Sequence, residues 1–211
     1  MTQPIRWPAV KRPLVAILRG VKPDEVEGIV EVLIDTGFEM MEVPLNSPEP
    51  FVSIERACKR FGKDALIGAG TVLTAEDCAH VADVGGRLMV SPNVDTDVLA
   101  MAASRGMVTM PGVFSPTEAF LALRSGASAL KFFPASILGP AGIAAIRAVL
   151  PKDAVIGAVG GVSDKNFADY IAAGVQAFGL GSNLYRPGMT VADVRVTAES
   201  SIAAYDRAIA R

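Results

Sequence analysis

The sequence has little histidine, cysteine or aromatic residue. Of its 211 residues one is histidine, two are cysteine and 6% are aromatic. His80 lies in a polar helical pattern, which is typical of a solvent-exposed side chain, and a single histidine excludes histidine triads and multi-histidine zinc sites. Cys58 and Cys78 lack metal or redox spacing, so we expect two buried or half-buried thiols. Catalysis would fall to carboxylates, lysine, tyrosine or serine.

Clustered basic charge and long hydrophobic runs are also missing. The net charge is −2, from 20 Lys and Arg against 22 Asp and Glu, so we expect no nucleic-acid partner. The longest uncharged apolar stretch, 135–146, contains Gly139 and Pro140 and is shorter than the roughly 20 residues that a bilayer span needs. The early apolar run at 14–18 is too short for a signal-peptide core. We therefore expect a cytoplasmic protein that does not enter a membrane.

Short apolar runs of strand length recur along the chain, each followed by a helix-like segment, for example at 23–35, 140–149 and 164–172. The runs lie at 14–18, 40–43, 65–69, 88–90, 107–110, 129–133, 155–159 and 177–180. Glycines end the helical patterns just before the next strand, at Gly37, Gly62, Gly85, Gly106, Gly126 and Gly174. This order is typical of repeated β/α units with a parallel sheet.

Eight such units predict the α/β class and a single (β/α)8 TIM barrel. The barrel domain would span 1–211, with 1–13 as a short N-terminal extension. An open doubly wound sheet is the alternative, because periodicity does not establish closure. The glycines at 68 and 70 are only a weak dinucleotide signal, since the third glycine of that fingerprint is missing.

Polar residues and glycines follow the predicted strands at their carboxyl ends, where TIM barrels place their active sites. In chain order they are Arg19, Glu42, Thr71, Ser91, Asn93, Thr109, Lys131, Gly160 with Gly161, and Gly181 with Ser182.

Lys131 interrupts an apolar strand on the face opposite Leu130 and Phe132. If that face is the barrel interior, burial and a nearby cation, Arg19, should lower its pKa and free the amine as a nucleophile. The alternatives are a lysine that extends to solvent or one paired with a carboxylate. Glu42 is the carboxylate embedded in a strand, which suits a general base, although an ion pair with Arg19 or Lys131 is the other interpretation.

Arg19 could bind a carboxylate or phosphate through two parallel hydrogen bonds, or form a surface ion pair. The glycines after strands seven and eight favour a phosphate site, since backbone N–H groups can approach an anion closely there. Paired glycines are also found in plain turns.

Ordered motifs over about 14–205 resemble the KDPG/KHG aldolase family. They are ILRG at 17–20, EVPLNSP at 42–48, GAGTV at 68–72, SPN at 91–93, MPG at 110–112, LKFFP at 130–134 and VGGV at 159–162. The resemblance implies a class I aldolase on a β/α barrel, usually a homotrimer, without metal or organic cofactor. It makes Lys131 the Schiff-base lysine and Glu42 the proton shuttle.

The resemblance also implies a substrate-binding set that holds a phosphorylated 2-keto acid. Its members are Arg19, Asn46, Gly70, Thr71, Pro92, Val159, Gly160, Gly161, Val162, Gly181 and Ser182. Asn46 and Val159 replace an arginine and a threonine of the phosphogluconate-type members, as in the phosphogalactonate branch. The expected substrate is 2-dehydro-3-deoxy-6-phosphogalactonate; the alternatives are its C4 epimer, or isomerisation or transfer of a phosphorylated sugar without an imine.

Overall fold

The computed structural model describes residues 5–210, which form nine strands and eight helices that alternate except for one pair of consecutive strands. The strands are β1 (Leu14–Ile17), β2 (Met40–Pro44), β3 (Leu66–Gly70), β4 (Leu88–Val90), β5 (Val108–Met110), β6 (Gly112–Val113), β7 (Leu130–Phe132), β8 (Ile156–Val159) and β9 (Ala177–Leu180). The helices are α1 (Val26–Thr36), α2 (Pro50–Phe61), α3 (Ala75–Asp83), α4 (Thr96–Ser104), α5 (Pro116–Arg124), α6 (Ala135–Arg147), α7 (Phe167–Ala172) and α8 (Val191–Ile209).

All the strand pairs are parallel, and the sheet closes through the strand that contains Pro111. The order is β5-β4-β3-β2-β1-β9-β8-β7-β6, and only Pro111 separates β5 from β6. Proline has no N–H to donate, which interrupts the hydrogen-bond ladder at that residue. The carbonyl of Pro111 still accepts from Lys131 N at 2.9 Å, and that of Thr109 accepts from Ala129 N at 3.0 Å. The two parts are one barrel strand, so the predicted eight-stranded (β/α)8 barrel is confirmed.

Strand alternation divides the apolar residues into two cores. One face of each strand packs against the helices, and this larger core includes Leu130 and Phe132. The other face fills the barrel interior, with Val15, Met40, Leu88, Met110 and Ala177 among its members. Because successive side chains of a strand point to opposite faces of the sheet, Lys131 points inward while Leu130 and Phe132 point toward the helices.

Several interior glycines near the carboxyl ends leave space for larger neighbours. A Cβ on Gly157 would lie 2.0 Å from Cε of Met110, and one on Gly179 would lie 2.6 Å from Cγ2 of Val159. A Cβ at either position would force the neighbouring side chain to shift. The two glycines therefore make room for the side chains of Met110 and Val159 in the barrel interior.

Several helices differ from their predicted bounds, and the one expected at 23–35 spans Val26–Thr36. The helix expected at 140–149 spans Ala135–Arg147, because Gly139 (φ 65°, ψ 169°) joins two helical segments and Pro140 starts the second. The helix expected at 164–172 begins only at Phe167. Asn166 holds the preceding residues in a turn, since its Oδ1 accepts from Ser163 N and its Nδ2 donates to Gly161 O, both at 2.9 Å.

The N-terminal segment closes the barrel at the end opposite the strands' carboxyl ends. Ile5, Trp7 and Val10 pack against the interior core. The division into one domain with a 1–13 extension stays a prediction, and residues 1–4 and 211 lie outside the described residues.

The scarce residue types lie where the sequence predicts. His80 is exposed and stacks on Phe51 with ring centroids 3.8 Å apart, while Cys58 is half-buried and Cys78 buried. Within residues 5–210, no helix has the length and hydropathy to cross a bilayer.

Candidate active site

A cavity of about 170 Å³ opens at the carboxyl ends of the strands. Most of the predicted site residues line it: Arg19, Glu42, Thr71, Pro92, Lys131, Val159, Gly160, Gly161, Val162, Gly181 and Ser182. Gly70 and Asn46 are the predicted residues that do not. The strand ends thus bring together groups that are far apart in sequence, as expected for a barrel.

Lys131 is held in the middle of β7, between β6 and β8. It pairs with Gly112 on one side and Gly157 on the other, and only 6% of the residue is exposed. Burial lowers the pKa of Lys131 to about 8; the negative charge of Glu42 opposes this shift and the positive charge of Arg19 adds to it. A larger fraction of this amine is neutral near physiological pH than for an ordinary lysine.

Glu42 lies in β2, on the barrel interior, and is 2% exposed. Burial raises its pKa to about 7, while Lys131, Arg19 and the backbone amide of Gly70 act in the opposite direction. Within the described chain, its buried Oε2 has no hydrogen-bond partner. A carboxylate with a free oxygen facing a cavity, and with a pKa near neutrality, can accept and return a proton.

The two groups therefore share one cavity with complementary chemistry. Among the described residues, the ion pairs within 4.0 Å do not include Glu42 with Lys131, so the two side chains are not in direct contact as a salt bridge. Their charges interact across space that a small molecule can enter. The arrangement suits a nucleophilic amine beside a proton acceptor.

Gly70 lies beneath the carboxylate of Glu42. A Cβ on Gly70 would be 2.0 Å from Oε2 and 2.2 Å from Cδ of Glu42. Gly70 thus gives Glu42 the room to point into the cavity, and its backbone amide lowers the pKa of that carboxyl group. Gly70 lies against Glu42, and its contact with substrate stays a prediction.

Asn46 reaches the site through Arg19. Its Oδ1 accepts a hydrogen bond from Nη1 of Arg19, and the neighbouring Ser47 Oγ accepts one from Gly20 N at 2.9 Å. Asn46 and Ser47, which follow β2, therefore hold the segment after β1 in place through these two hydrogen bonds. Because the side chain of Asn46 is neutral, this hydrogen bond leaves the positive charge of the Arg19 guanidinium group uncompensated.

The glycine turn after β8 directs its carbonyl groups toward protein donors. Gly160 and Gly161 both have positive φ, at 90° and 80°. Gly160 O accepts from Ser136 N at 2.9 Å, Gly161 O from Asn166 Nδ2 at 2.9 Å, and Val162 O from Asn183 Nδ2 at 3.1 Å. These three carbonyl oxygens are engaged by protein donors, and the two glycines leave the backbone of the turn open to close approach by an anion.

The glycine after β9 borders open space. A Cβ on Gly181 would meet no atom within 4 Å, and the next residue, Ser182, is exposed on the cavity rim. The two loops face the same cavity.

Sequence reasoning missed four lining residues: Ile17, Phe133, Gly179 and Asn183. Strand alternation could have identified Phe133, which is two residues after Lys131 and shares its face. Asn183 carries no such signal, because its position depends on the loop. Conversely, Ser91 and Thr109 are buried outside the cavity, where Ser91 bonds to Asn93 O and Thr109 to Ser128.

Potential metal ligands are not grouped in this fold. In residues 5–210, no cluster of three or more His, Cys, Asp or Glu side chains could hold a metal ion.

Comparison with known proteins agrees with this geometry. The family model described as KDPG and KHG aldolase matches residues 8–197. A Rhizobium meliloti (strain 1021) protein named "Probable 2-dehydro-3-deoxy-6-phosphogalactonate aldolase" is 64% identical over 96% of this chain and 95% of its own length. The Escherichia coli (strain K12) protein named "2-dehydro-3-deoxy-6-phosphogalactonate aldolase" is 47% identical over 97% and 100%. The solved "Native KDPGal structure" has a TM-score of 0.95 and 46% identity, covering 98% of this chain and 100% of that one. The chain belongs to the KDPG and KHG aldolase family.

Proposed function

We propose that this chain is a class I aldolase that cleaves 2-dehydro-3-deoxy-6-phosphogalactonate to pyruvate and glyceraldehyde 3-phosphate. The observation that carries the proposal is the buried amine of Lys131 in one cavity with the carboxyl group of Glu42. The two relatives described above bear the name of this substrate.

The neutral amine of Lys131 attacks the C2 ketone; the ketone oxygen leaves as water with one amine proton and one proton from solvent, and the remaining N–H and the new C=N bond make a cationic imine. Glu42 then takes the proton of the C4 hydroxyl group, directly or through a water molecule. The electrons of the C3–C4 bond move into the imine, which becomes a neutral enamine, and the C4 fragment leaves as an aldehyde. Proton return to C3 and addition of water release pyruvate and regenerate the amine.

Arg19 and Thr71 are proposed to hold the carboxylate end of the substrate, with Pro92 as an apolar wall. Gly160, Gly161, Val162, Gly181 and Ser182 are proposed to hold the phosphate, because both loops border the cavity and the first one has its carbonyls engaged elsewhere. Binding the remote phosphate would orient the reacting carbons over Lys131.

Val159 is proposed to favour the galactonate configuration at C4. Its side chain is 6% exposed and lines the cavity with no hydroxyl group to offer. A single contact of this kind is worth about 1–3 kcal/mol, so some cleavage of the C4 epimer is expected. Comparing kcat/KM for the two epimers tests this assignment; a preference for the gluconate epimer would reject it.

Borohydride reduction in the presence of pyruvate tests the mechanism. We expect a stable adduct on the peptide that contains Lys131, detected by mass spectrometry. Lys131→Ala should abolish both the adduct and turnover, while Lys165→Ala, which changes an exposed lysine, should preserve both. An active protein without a pyruvate adduct would favour the isomerase or transferase alternative.

We also propose a homotrimer, a single domain and a cytoplasmic location. Leu73, which is 50% exposed, and Phe114, which is 41% exposed, are the candidate interface residues near the cavity end. A phosphorylated substrate does not diffuse across a bilayer, which supports the location. The mass in solution, measured by light scattering, tests the trimer.

A further inference from the structure

Phe133 presents its ring to the amine of Lys131. The residue follows β7, and its N–H donates to Val113 O at 3.1 Å, which fixes the backbone two residues beyond the lysine. Nζ of Lys131 lies 4.7 Å from the centroid of the Phe133 ring. This distance is within the range of a cation–π interaction.

The same ring also contacts the turn after β8. A Cβ on Gly160 would lie 3.3 Å from Cδ2 and 3.4 Å from Cε2 of Phe133. The ring therefore fills the space between the amine and the turn proposed to bind phosphate. Phe133 is half-buried and lines the cavity, so its surroundings are drier than an exposed surface.

Building on the proposed imine chemistry, we propose that Phe133 is a positioning residue that holds the cationic forms of Lys131 with its ring face. The first cationic form is the ammonium group. The second is the imine formed when Nζ bonds to C2 and the ketone oxygen leaves as water. Both place positive charge on the atom that the ring faces.

The charges around Lys131 explain why such a contact matters. Glu42 faces it from β2 and favours the cation, whereas Arg19, at the end of β1, and burial both disfavour it. The ring adds an attraction that needs no second titratable group. It would stabilise the imine cation even while Glu42 is protonated and uncharged.

The direction of a pH shift distinguishes this role from simple space filling. If the ring attracts the cation, replacing it with an aliphatic side chain lowers the pKa of Lys131 further. If the ring only excludes water, its loss admits water and moves the pKa back toward the ordinary value. The two roles predict opposite shifts.

The experiment measures the rate of pyruvate trapping by borohydride as a function of pH, together with kcat for the phosphorylated substrate. The variants are Phe133→Leu, Phe133→Met and Phe133→Tyr, with Phe132→Leu as the matched control. Phe132 is fully buried on the opposite face of the same strand, against the helices, so the same chemical change there leaves Lys131 untouched. Melting temperatures identify variants that fold.

For Phe133→Leu and Phe133→Met we expect the acidic limb of the pH profile of the trapping rate to move to a pH lower by about 0.5–1 unit. We expect kcat to fall about 3- to 10-fold. Phe133→Tyr keeps the ring, so it should remain within about twofold of wild type. Phe132→Leu should melt earlier but keep the wild-type limb.

An unchanged or upward-shifted limb in the aliphatic variants would overturn the inference, as would a Tyr variant as impaired as the Leu variant. An equal shift in Phe132→Leu would overturn it too, because the effect would then be global. Failure of the wild type to form any pyruvate adduct would instead refute the proposed function itself.

Discussion

The carboxylate of Glu42 occupies the space above Gly70 where a side chain would otherwise lie. The register of β2 and β3 sets this relationship, since Glu42 pairs with Gly68 and Pro44 with Gly70. Gly70 therefore faces inward at the level to which the Glu42 side chain extends. The absence of a side chain on Gly70 gives Glu42 its position in the cavity.

Gly70→Ala should displace the carboxylate of Glu42 from its position in the cavity. The new methyl group would lie 2.0 Å from Oε2, so the carboxylate must move away. We expect turnover to fall about 100-fold or more, as for loss of a positioned general base. The pyruvate adduct on Lys131 should still form, because a weaker influence of Glu42 lowers the pKa of the amine and keeps it neutral.

Gly142→Ala is the control for this glycine. It lies within α6, where a Cβ would meet only ordinary contacts at 3.5 Å. Alanine there should leave turnover unchanged and stabilise the helix by up to about 1 kcal/mol. Wild-type turnover in Gly70→Ala would contradict the role assigned to Glu42.

The pH dependence of catalysis should show two ionisations on its acidic side. The active form requires the Glu42 carboxylate and the neutral Lys131 amine, with pKa values of about 7 and about 8. Activity should therefore rise with pH between about 6 and 9, and be lost as pH falls, when first the amine and then the carboxylate gains a proton. A profile of kcat/KM against pH measures this.

Glu42→Gln separates the two groups. Removing the negative charge takes away the effect that raises the pKa of Lys131, so pyruvate trapping should extend to lower pH. Turnover should fall by about 10²- to 10⁴-fold, because the proton acceptor is gone. Near-normal turnover in this variant would reject the proton-transfer role.

The sequence predicted the barrel because its signals are local and repeated. Each β/α unit buries its strand and most units end their helix with a glycine, so the barrel is still predicted when the bounds of a single helix, such as α6, are wrong. Closure was the weaker inference. Closure depends on Pro111. Its carbonyl oxygen accepts a hydrogen bond from Lys131 N and so continues the pairing with β7, although its nitrogen has no hydrogen to donate.

Residues of the site were predictable where strand alternation decides the direction of a side chain, as for Lys131 and Glu42. Contacts between neighbouring side chains were not predictable. Asn46 contacts Arg19 and Gly70 lies against Glu42, while the substrate contacts expected of both residues stay predictions. Such contacts depend on the register between neighbouring strands and loops. The sequence of a single strand does not determine that register. The family resemblance, by contrast, is confirmed over most of the chain.

Asn46→Ala should weaken binding at the carboxylate end of the substrate. Without the Oδ1 acceptor, Arg19 loses the hydrogen bond that orients its guanidinium group. We expect the pyruvate concentration that gives half-maximal trapping to rise about 3- to 10-fold, the usual effect of losing a partly exposed hydrogen bond to a charged group. The maximal trapping rate should change little.

A double-mutant cycle with Arg19→Ala provides the control. If Asn46 acts only through Arg19, the double variant should be no weaker than Arg19→Ala alone. Additive losses would instead mean that Asn46 contacts the substrate itself.

Burying the Lys131 amine should cost stability, which is recovered when the charge is removed. The pKa of Lys131 is about 8 in the folded chain against an ordinary value of 10.5, so the folded state disfavours the proton. This cost is fully present below pH 8 and fades as pH rises toward 10.5, where the unfolded chain also loses the proton. Lys131→Met should therefore raise the free energy of unfolding at pH 7 by about 1–3 kcal/mol, while abolishing turnover.

Urea unfolding at pH 7 and pH 10.5 measures the effect, and the stability gained by Lys131→Met should shrink at the higher pH. Lys152→Met, at an exposed position, should change stability at neither pH. A Lys131→Met variant less stable than wild type at pH 7 would show that the pair with Glu42 stabilises the fold more than its burial costs.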